Sequence, residues 1–133
     1  MRMIALLFLL LPGAALADGY GFRTPSGNIY CNGTVIDGAI DCNIVEFNGA
    51  PLQPKPGNCN GIWGHTFEMD GTGPARMSCS SYRPRKSTYT NIAGYGQSAD
   101  FGPIRCTSEK TGLTCRNQSG HGFFLSRRQQ GLF

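Results

Sequence analysis

Beyond its first seventeen residues, this chain of 133 residues has no stretch of sustained helical periodicity and few long aliphatic side chains. It has no Cys-x2-Cys pair, which argues against a zinc site. It has no Gly-x-Ser-x-Gly sequence either, which argues against a serine-hydrolase nucleophile elbow. No segment after the N-terminus is apolar enough to cross a membrane. We therefore expect a small domain that is not helical and that carries no metal and no cofactor.

An apolar segment opens the chain and predicts export. Arg2 supplies a positive charge, Ile4 to Leu11 is uninterrupted apolar sequence, and Ala15-Leu16-Ala17 has the form of a signal-peptidase site. The apolar run is shorter than the roughly 20 residues that a bilayer span needs. We predict a signal peptide over residues 1–17 and a mature domain over residues 18–133. The mature domain would be periplasmic or extracellular, in an oxidising compartment where disulfides persist.

Cysteine is plentiful, and two of the three cysteine pairs lie in what looks like one motif used twice. The first copy covers residues 27–31 and 38–43, and the second covers residues 102–106 and 112–117. Each copy predicts a strand, a turn and a returning strand with one cysteine on each arm. Bridging the arms would remove chain entropy from the unfolded state, worth roughly 2–3 kcal/mol per bridge.

Six cysteines allow fifteen pairings, and sequence alone does not choose among them. Geometry favours Cys31–Cys42 and Cys106–Cys115, because these residues can meet across tight hairpins. Cys59–Cys79 then remains. We expect an all-β fold, a small single-domain antiparallel sandwich or barrel of short hairpins stapled by these three disulfides.

Turn dipeptides and period-two alternation indicate where the hairpins lie. Dipeptides typical of hairpin turns occur at Asp37-Gly38, Asn48-Gly49, Asn60-Gly61 and Asp70-Gly71. Alternation over residues 62–69 predicts a strand that presents Trp63, His65, Phe67 and Met69 on one face. A final strand is predicted over residues 122–128, and surface loops over residues 47–58 and 80–100.

Charge is unevenly spread along the predicted mature chain. Residues 18–70 carry a net charge of −4, whereas residues 71–133 carry nine lysines and arginines against Asp100 and Glu109, a net charge of +7. One interpretation is a basic face for anionic partners such as lipid head groups or wall polymers. The other is a solvated surface on which opposite charges interleave once the two halves fold together.

Basic and aromatic side chains alternate in one segment, where Tyr82, Tyr89 and Tyr95 accompany Arg83, Arg85 and Lys86. Aromatic rings beside guanidinium groups can stack on a ligand while the charges hold its anionic groups. The alternative is that the tyrosines only cover the edge of the core. The candidate binding residues are Tyr82, Arg83, Arg85, Lys86, Tyr95, His121 and Arg127.

The two histidines suggest a catalytic alternative. His65, Glu68 and His121 could supply acid and base in a small secreted hydrolase of the nuclease kind. Alternatively, His65 packs on a strand face and His121 occupies a turn. Their spacing does not by itself place the three together, so we expect a protein that is not an enzyme.

The two ends of the mature chain resemble a family of small secreted bacterial domains of unknown function. Residues 22–31 match the opening Phe-x-Ser/Thr-Pro-Ser-Gly-Asn-Ile-x-Cys, and residues 120–127 match the ending Gly-His-Gly-Phe-x-Leu/Ile-Ser-Arg. The resemblance implies a bacterial exported context and no catalytic residues. One departure is that Ser80-Ser81-Tyr82 stands where the family would place a Gly-Asp pair.

The end motifs also predict local structure. Residues 25–28 should form a turn before the first core strand. Gly120 and Gly122 should supply a positive φ or a close backbone approach. We further predict that His121 lies beside the first turn, where it joins the two ends of the chain and forms a small pocket.

We expect a non-enzymatic binding module for an envelope component or another protein, and not for a nucleic acid. A small hydrolase is the first alternative, and a secreted enzyme inhibitor is the second.

Overall fold

The computed structural model describes residues 20–36 and 38–133, and these residues form ten strands and no helix. The predicted signal peptide and Asp37 lie outside the described residues. The strands are β1 (Tyr20–Arg23), β2 (Ile29–Thr34), β3 (Ala39–Ile44), β4 (Ile62–Asp70), β5 (Arg76–Ser80), β6 (Ser98–Phe101), β7 (Ile104–Glu109), β8 (Gly112–Arg116), β9 (Gly122–Leu125) and β10 (Gln130–Leu132). The part of the chain that the structure describes holds no helix with the length and apolarity of a membrane span.

The strands form two antiparallel sheets that pack face to face. Strands β1 to β5 make the first sheet and β6 to β10 make the second, each in chain order. Apolar side chains alternate along the strands, as in β3, where Ile40, Cys42 and Ile44 are buried and their neighbours are only half-buried. The buried faces of both sheets contribute to one hydrophobic core. The all-β prediction is confirmed, and of its two forms the chain adopts the sandwich.

The repeated cysteine motif marks a repeat of the whole sheet. In each sheet the second and third strands carry directly opposed cysteines, and a phenylalanine of the fourth strand lies opposite the cysteine of the third. These phenylalanines, Phe67 and Phe123, are fully buried and face each other with ring centroids 5.9 Å apart. The two halves of the core therefore meet at equivalent positions of the repeat.

All three predicted disulfides are confirmed. Cys31–Cys42 and Cys106–Cys115 join neighbouring strands, each with a Cα–Cα distance of 4.0 Å. Cys59–Cys79 joins the segment before β4 to strand β5, with a Cα–Cα distance of 5.7 Å. The first two disulfides lie inside the core, so each one links two strands of one sheet on the face that packs against the other sheet.

The predicted strand over residues 62–69 is present, but its single face is interrupted. A β-bulge lies between Ile62 and Thr66, and Gly64 within it has a φ of +92°. Phe67 and Met69 point into the core, whereas Trp63 and His65 are half-buried. The alternation of apolar residues in the sequence does not reveal a bulge, which changes the face of the sheet to which the following side chains point.

Two of the four predicted hairpin turns close hairpins, those between β2 and β3 and between β4 and β5. Asn48 instead donates its backbone N–H to the Arg127 carbonyl, and Gly61 packs against the carbonyl of Ser80. The predicted loop over 80–100 is wrong at both ends, because Ser80 belongs to β5 and residues 98–100 belong to β6. Residues 98–100 are exposed and lack the apolar alternation that would have revealed a strand.

The glycines of the closing motif serve the two purposes predicted for them. Gly120 has a φ of +82°, which favours glycine. Gly122 has no room for a side chain, since a β-carbon there would lie 2.1 Å from the Cys115 carbonyl oxygen and 2.8 Å from the Phe133 ring. The closing motif therefore has a structural role at these two positions.

We predict that Gly122→Ala lowers the free energy of unfolding by about 1–3 kcal/mol, because the β8–β9 pair must separate to admit the methyl group. Gly57→Ala is the matched control, since nothing lies within 4 Å of a β-carbon at that position. Denaturant unfolding of the oxidised proteins measures both changes. Equal stability of the two variants would contradict the steric role of Gly122.

Candidate functional site

Four of the predicted binding residues line one surface depression of about 660 Å³, which we call the basic groove. It is formed by β2 and by the segment after β5. Its lining residues are Tyr30, Tyr82, Arg83, Arg85, Lys86, Ser87, Thr88 and Tyr89. The groove thus combines three aromatic rings with three cationic side chains, which is the chemistry that suits a ligand with both anionic groups and flat surfaces.

Residues 82–89, which we call the wall of the basic groove, are held in place by the edge strand β1. Residues 91–93 pair in parallel with Arg23, whose backbone N–H donates to the Asn91 carbonyl at 2.9 Å and whose carbonyl accepts from Ala93 N–H at 2.8 Å. The Arg23 guanidinium donates to the Tyr89 carbonyl at 3.1 Å. Gly21 leaves space for the Tyr89 ring, which lies 2.2 Å from where a β-carbon would be. The wall is therefore fixed by specific contacts although it has no strand of its own.

The two tyrosines at the base of the basic groove contact each other. The rings of Tyr30 and Tyr89 meet edge to face with centroids 6.2 Å apart. Burial, and then the neighbouring Tyr89, raise the pKa of Tyr30, while a backbone hydrogen bond from Arg85 acts in the opposite direction. The phenol of Tyr30 therefore stays neutral at physiological pH and can serve as a hydrogen-bond donor.

Three basic residues of the second half form ion pairs, and none of these three belongs to the basic groove. Arg76 pairs with Glu68 and Asp70, Arg105 with Asp100, and Arg127 with Glu46. Within residues 20–36 and 38–133, no ion pair involves the groove residues Arg83, Arg85 or Lys86. Charges of the two halves therefore interleave at Arg76 and Arg127, as one interpretation predicted, but not at the groove.

The remaining predicted binding residues lie elsewhere. Tyr95 and Arg127 line a second groove of about 320 Å³ together with Ser26 and Asn28 of the opening motif. Asn28 exchanges two hydrogen bonds with the Glu46 backbone, at 2.8 and 3.1 Å, and the Glu46 carboxylate pairs with Arg127 at 2.8 Å. The two end motifs meet here, as predicted. However, Ser126 and Arg127 make the contact, and His121 does not line this groove.

His121 lies in a turn organised by a buried asparagine. The Asn117 side chain accepts from the backbone N–H of His121 at 3.1 Å and donates to the carbonyls of Asp70 and Gly73. His121 thus belongs to the end of the sandwich near the β4–β5 hairpin, away from the opening turn. The prediction that His121 itself lies beside the first turn is therefore wrong, because Asn117 directs the turn toward the other hairpin.

The described contacts do not join the three residues of the hydrolase alternative. His65 Nδ1 lies 2.7 Å from the Ile44 carbonyl oxygen, and Glu68 pairs with Arg76 at 3.3 Å. Among residues 20–36 and 38–133, no hydrogen bond or pocket links His65, Glu68 and His121. No group of three potential metal ligands is found in the same part of the chain.

Four lining residues of the basic groove were missing from the predicted site, and two of them are the tyrosines Tyr30 and Tyr89. Tyr89 belongs to the segment in which aromatic and basic residues alternate, but only its packing on Gly21 and Tyr30 shows that its ring lines the groove. Tyr30 belongs to β2, and sequence carries no signal for the segment that folds over it. A tertiary contact of residues 30 and 89, distant along the chain, defines the base of the groove.

An acidic strip lies on the outer face of the first sheet, where Asp41 of β3 stands directly opposite Glu68 of β4. Burial, and next the like charge of Glu68, raise the pKa of Asp41. The folded chain therefore keeps a proton that the unfolded chain has lost, and its stability falls as pH rises from 3.8 through this raised pKa.

We predict that Asp41→Asn raises the free energy of unfolding at pH 7 by about 0.2–1 kcal/mol, the range for opposed like charges on neighbouring strands. The gain should fade as pH falls through the raised pKa of Asp41 and should be absent below 3.8, where the wild-type carboxyl is protonated in both the folded and the unfolded state. Thermal unfolding between pH 3 and 7 measures the effect.

Asp100→Asn serves as the control of opposite sign. Its hydrogen bond with Arg105 lowers the pKa of Asp100, so the carboxylate stabilises the fold above pH 3.8, and this contribution is lost as pH falls through the lowered pKa. That variant should lose stability at pH 7. A loss of stability in both variants at pH 7 would contradict the assignment of Asp41.

These features define a class, a small disulfide-bonded β-sandwich made of two repeated five-strand sheets with grooves on its outer faces. The two end motifs of the sequence, which meet around Glu46, distinguish this chain within that class of β-sandwiches. The chain belongs to DUF6636, a family of unknown function, whose model matches residues 2–133. The predicted membership of a family of unknown function is thereby confirmed. No curated protein and no solved structure matches the chain.

Proposed function

We propose that the protein is an exported, non-enzymatic binding module that holds an anionic polymer of the cell envelope in its basic groove. The observation that carries this proposal is the convergence of Arg83, Arg85 and Lys86 with three tyrosines in one depression. The three disulfides support export, because such bonds persist in oxidising compartments.

The state of the groove cations favours a charged partner. Arg83, Arg85 and Lys86 are exposed, and among the described residues no carboxylate lines the groove with them. Three cations held close together repel one another unless counterions or a polyanion neutralise them. A polymer with regularly spaced anionic groups can contact several of them at once and release their counterions.

The aromatic side chains favour a ligand with flat or apolar surfaces between its charges. The Tyr82 side chain is 82% exposed, although an aromatic ring gains stability when it is covered. It stands beside the guanidinium groups of the groove, where a sugar ring of an envelope polymer could stack on it. We therefore assign Tyr82 to ligand contact and Tyr89 to support of the wall.

The first test is co-sedimentation of the purified, oxidised protein with isolated bacterial envelopes at low and high salt. We expect binding that weakens by about tenfold or more when salt rises from 20 to 300 mM, since screening and counterion competition act on every ionic contact. Absence of binding at low salt would overturn the proposal.

Charge reversal locates the interaction. Arg83→Glu, Arg85→Glu and Lys86→Glu combined should weaken binding by at least about 100-fold, from about 1 kcal/mol per basic residue near an anionic surface. The control combines Lys55→Glu, Lys110→Glu and Arg128→Glu, which changes the net charge equally at exposed positions outside the groove. If both triple variants lose binding equally, net charge and not the groove is responsible.

Tyr82→Ala separates ligand contact from folding. Because the side chain is so exposed, the melting temperature should stay within about 1–2 °C of wild type, while envelope binding weakens several-fold. Tyr89→Ala should lower the melting temperature as well, since its ring packs on Gly21 and Tyr30. Unchanged binding by Tyr82→Ala would remove aromatic stacking from the proposal.

A further inference from the structure

A further cavity opens between the edges of the two sheets, separate from both grooves described above. It has a volume of about 430 Å³ and lies between β1 of the first sheet and β6 of the second. We call it the apolar pocket, and its main apolar side chains are Phe22, Val35, Ile92, Ala99, Phe101 and Leu113. Phe22 and Phe101 stack with centroids 5.7 Å apart and join the two sheets at its base.

Part of the core face is left uncovered at this pocket. Ala99 lies opposite the buried Cys106 and on the same face of β6 as the buried Phe101, so it belongs to the core side of the strand. Ala99 is nevertheless exposed, and Ile92 at the rim is 49% exposed. The sandwich is therefore open between β1 and β6, and apolar surface that would ordinarily be buried remains in contact with water.

The size and lining suit a small ligand. Pockets of about 300–1,000 Å³ with apolar walls and a few polar groups are typical ligand sites, and a dry cavity of about 150 Å³ already holds benzene. Of the described residues that line this pocket, Asp100 alone is charged, and Arg105 binds its carboxylate at 2.8 and 3.1 Å. The lining offers no cation, so an anionic ligand would lose its hydration without a partner.

One polar group in the wall lacks a partner. Ser108 is 1% exposed, and its backbone bonds to Gly96 and Gln97 at 2.7 and 2.9 Å, yet its Oγ makes no hydrogen bond. An unpaired buried hydroxyl is destabilising, and a ligand oxygen that reaches the pocket wall at Ser108 would satisfy it. The hydroxyl is recessed in the wall, which favours a ligand that fills the pocket to its base.

We propose that the apolar pocket binds a small neutral molecule, mostly apolar and carrying one hydroxyl or carbonyl group. The apolar body would cover Phe22, Ile92 and Phe101, and its oxygen would bond to Ser108. The apolar pocket differs from the basic groove in the ligands that suit it, because the pocket favours neutral molecules and the groove favours anions. The proposal for the apolar pocket does not depend on the function proposed above.

Three probes of one shape test the chemistry by fluorescence titration, namely naphthalene, 1-naphthol and 1-naphthoate. We expect 1-naphthol to bind wild type saturably and about fivefold more tightly than naphthalene, the effect of one neutral hydrogen bond. Ser108→Ala should remove that preference, and 1-naphthoate should bind at least about tenfold more weakly than 1-naphthol. Equal binding of the three probes, or none by 1-naphthol, would overturn the proposal.

Replacing one of two alanines by phenylalanine tests the location of the binding site. Ala99→Phe should fill the pocket and abolish 1-naphthol binding, whereas Ala50→Phe, in an exposed segment outside the pocket, should leave it unchanged. Ile92→Asn at the exposed rim should weaken binding several-fold and serves if Ala99→Phe does not fold. Retention of binding when the pocket is filled would place the probe elsewhere and overturn the assignment. The groove variant with three charge reversals should bind 1-naphthol as wild type does.

Discussion

The contact between Phe67 and Phe123 in the centre of the core organises the rest of the sandwich. Each ring lies opposite a disulfide-bonded cysteine of the neighbouring strand. In both sheets, therefore, two bonded cysteines and one phenylalanine occupy paired positions on three neighbouring strands. The disulfides restrict the unfolded chain, while burial of the rings favours the packed state. Because the sheets meet at equivalent positions, a small chain rich in glycine obtains one continuous core with few large apolar residues.

The surface sites follow from what this core leaves uncovered. In both sheets the strands follow one another in chain order, so β1 and β6 are edge strands, and each has a neighbouring strand of its sheet on one side only. Residues 91–93 pair with β1 and carry the wall of the basic groove against it. The gap that remains between β1 and β6 is the apolar pocket. Both proposed sites therefore depend on how the chain connects β5 to β6.

The two proposed sites would select ligands by opposite physical effects. The basic groove would gain affinity from exposed charges, whose contribution depends on salt, and from aromatic faces. The apolar pocket would gain affinity from covering apolar surface, which salt affects little, and it would disfavour anions because no cation is among its described lining residues. The segment over residues 82–93 contributes lining residues to both, although it belongs to no strand.

Local patterns in the sequence favoured the two disulfides within hairpins, the repeated hairpin around them and the all-β class, because short hairpins bring nearby cysteines together, and they left Cys59–Cys79 by elimination. They also located Tyr82, Arg83, Arg85 and Lys86 as a candidate site, since these residues are neighbours along the chain. Tertiary structure decided the bulge in β4, the short exposed strand β6, the separation of Tyr95 and Arg127 from the groove, and the pocket behind Ala99. Each of these results from contacts between distant segments, which no local pattern of residues records.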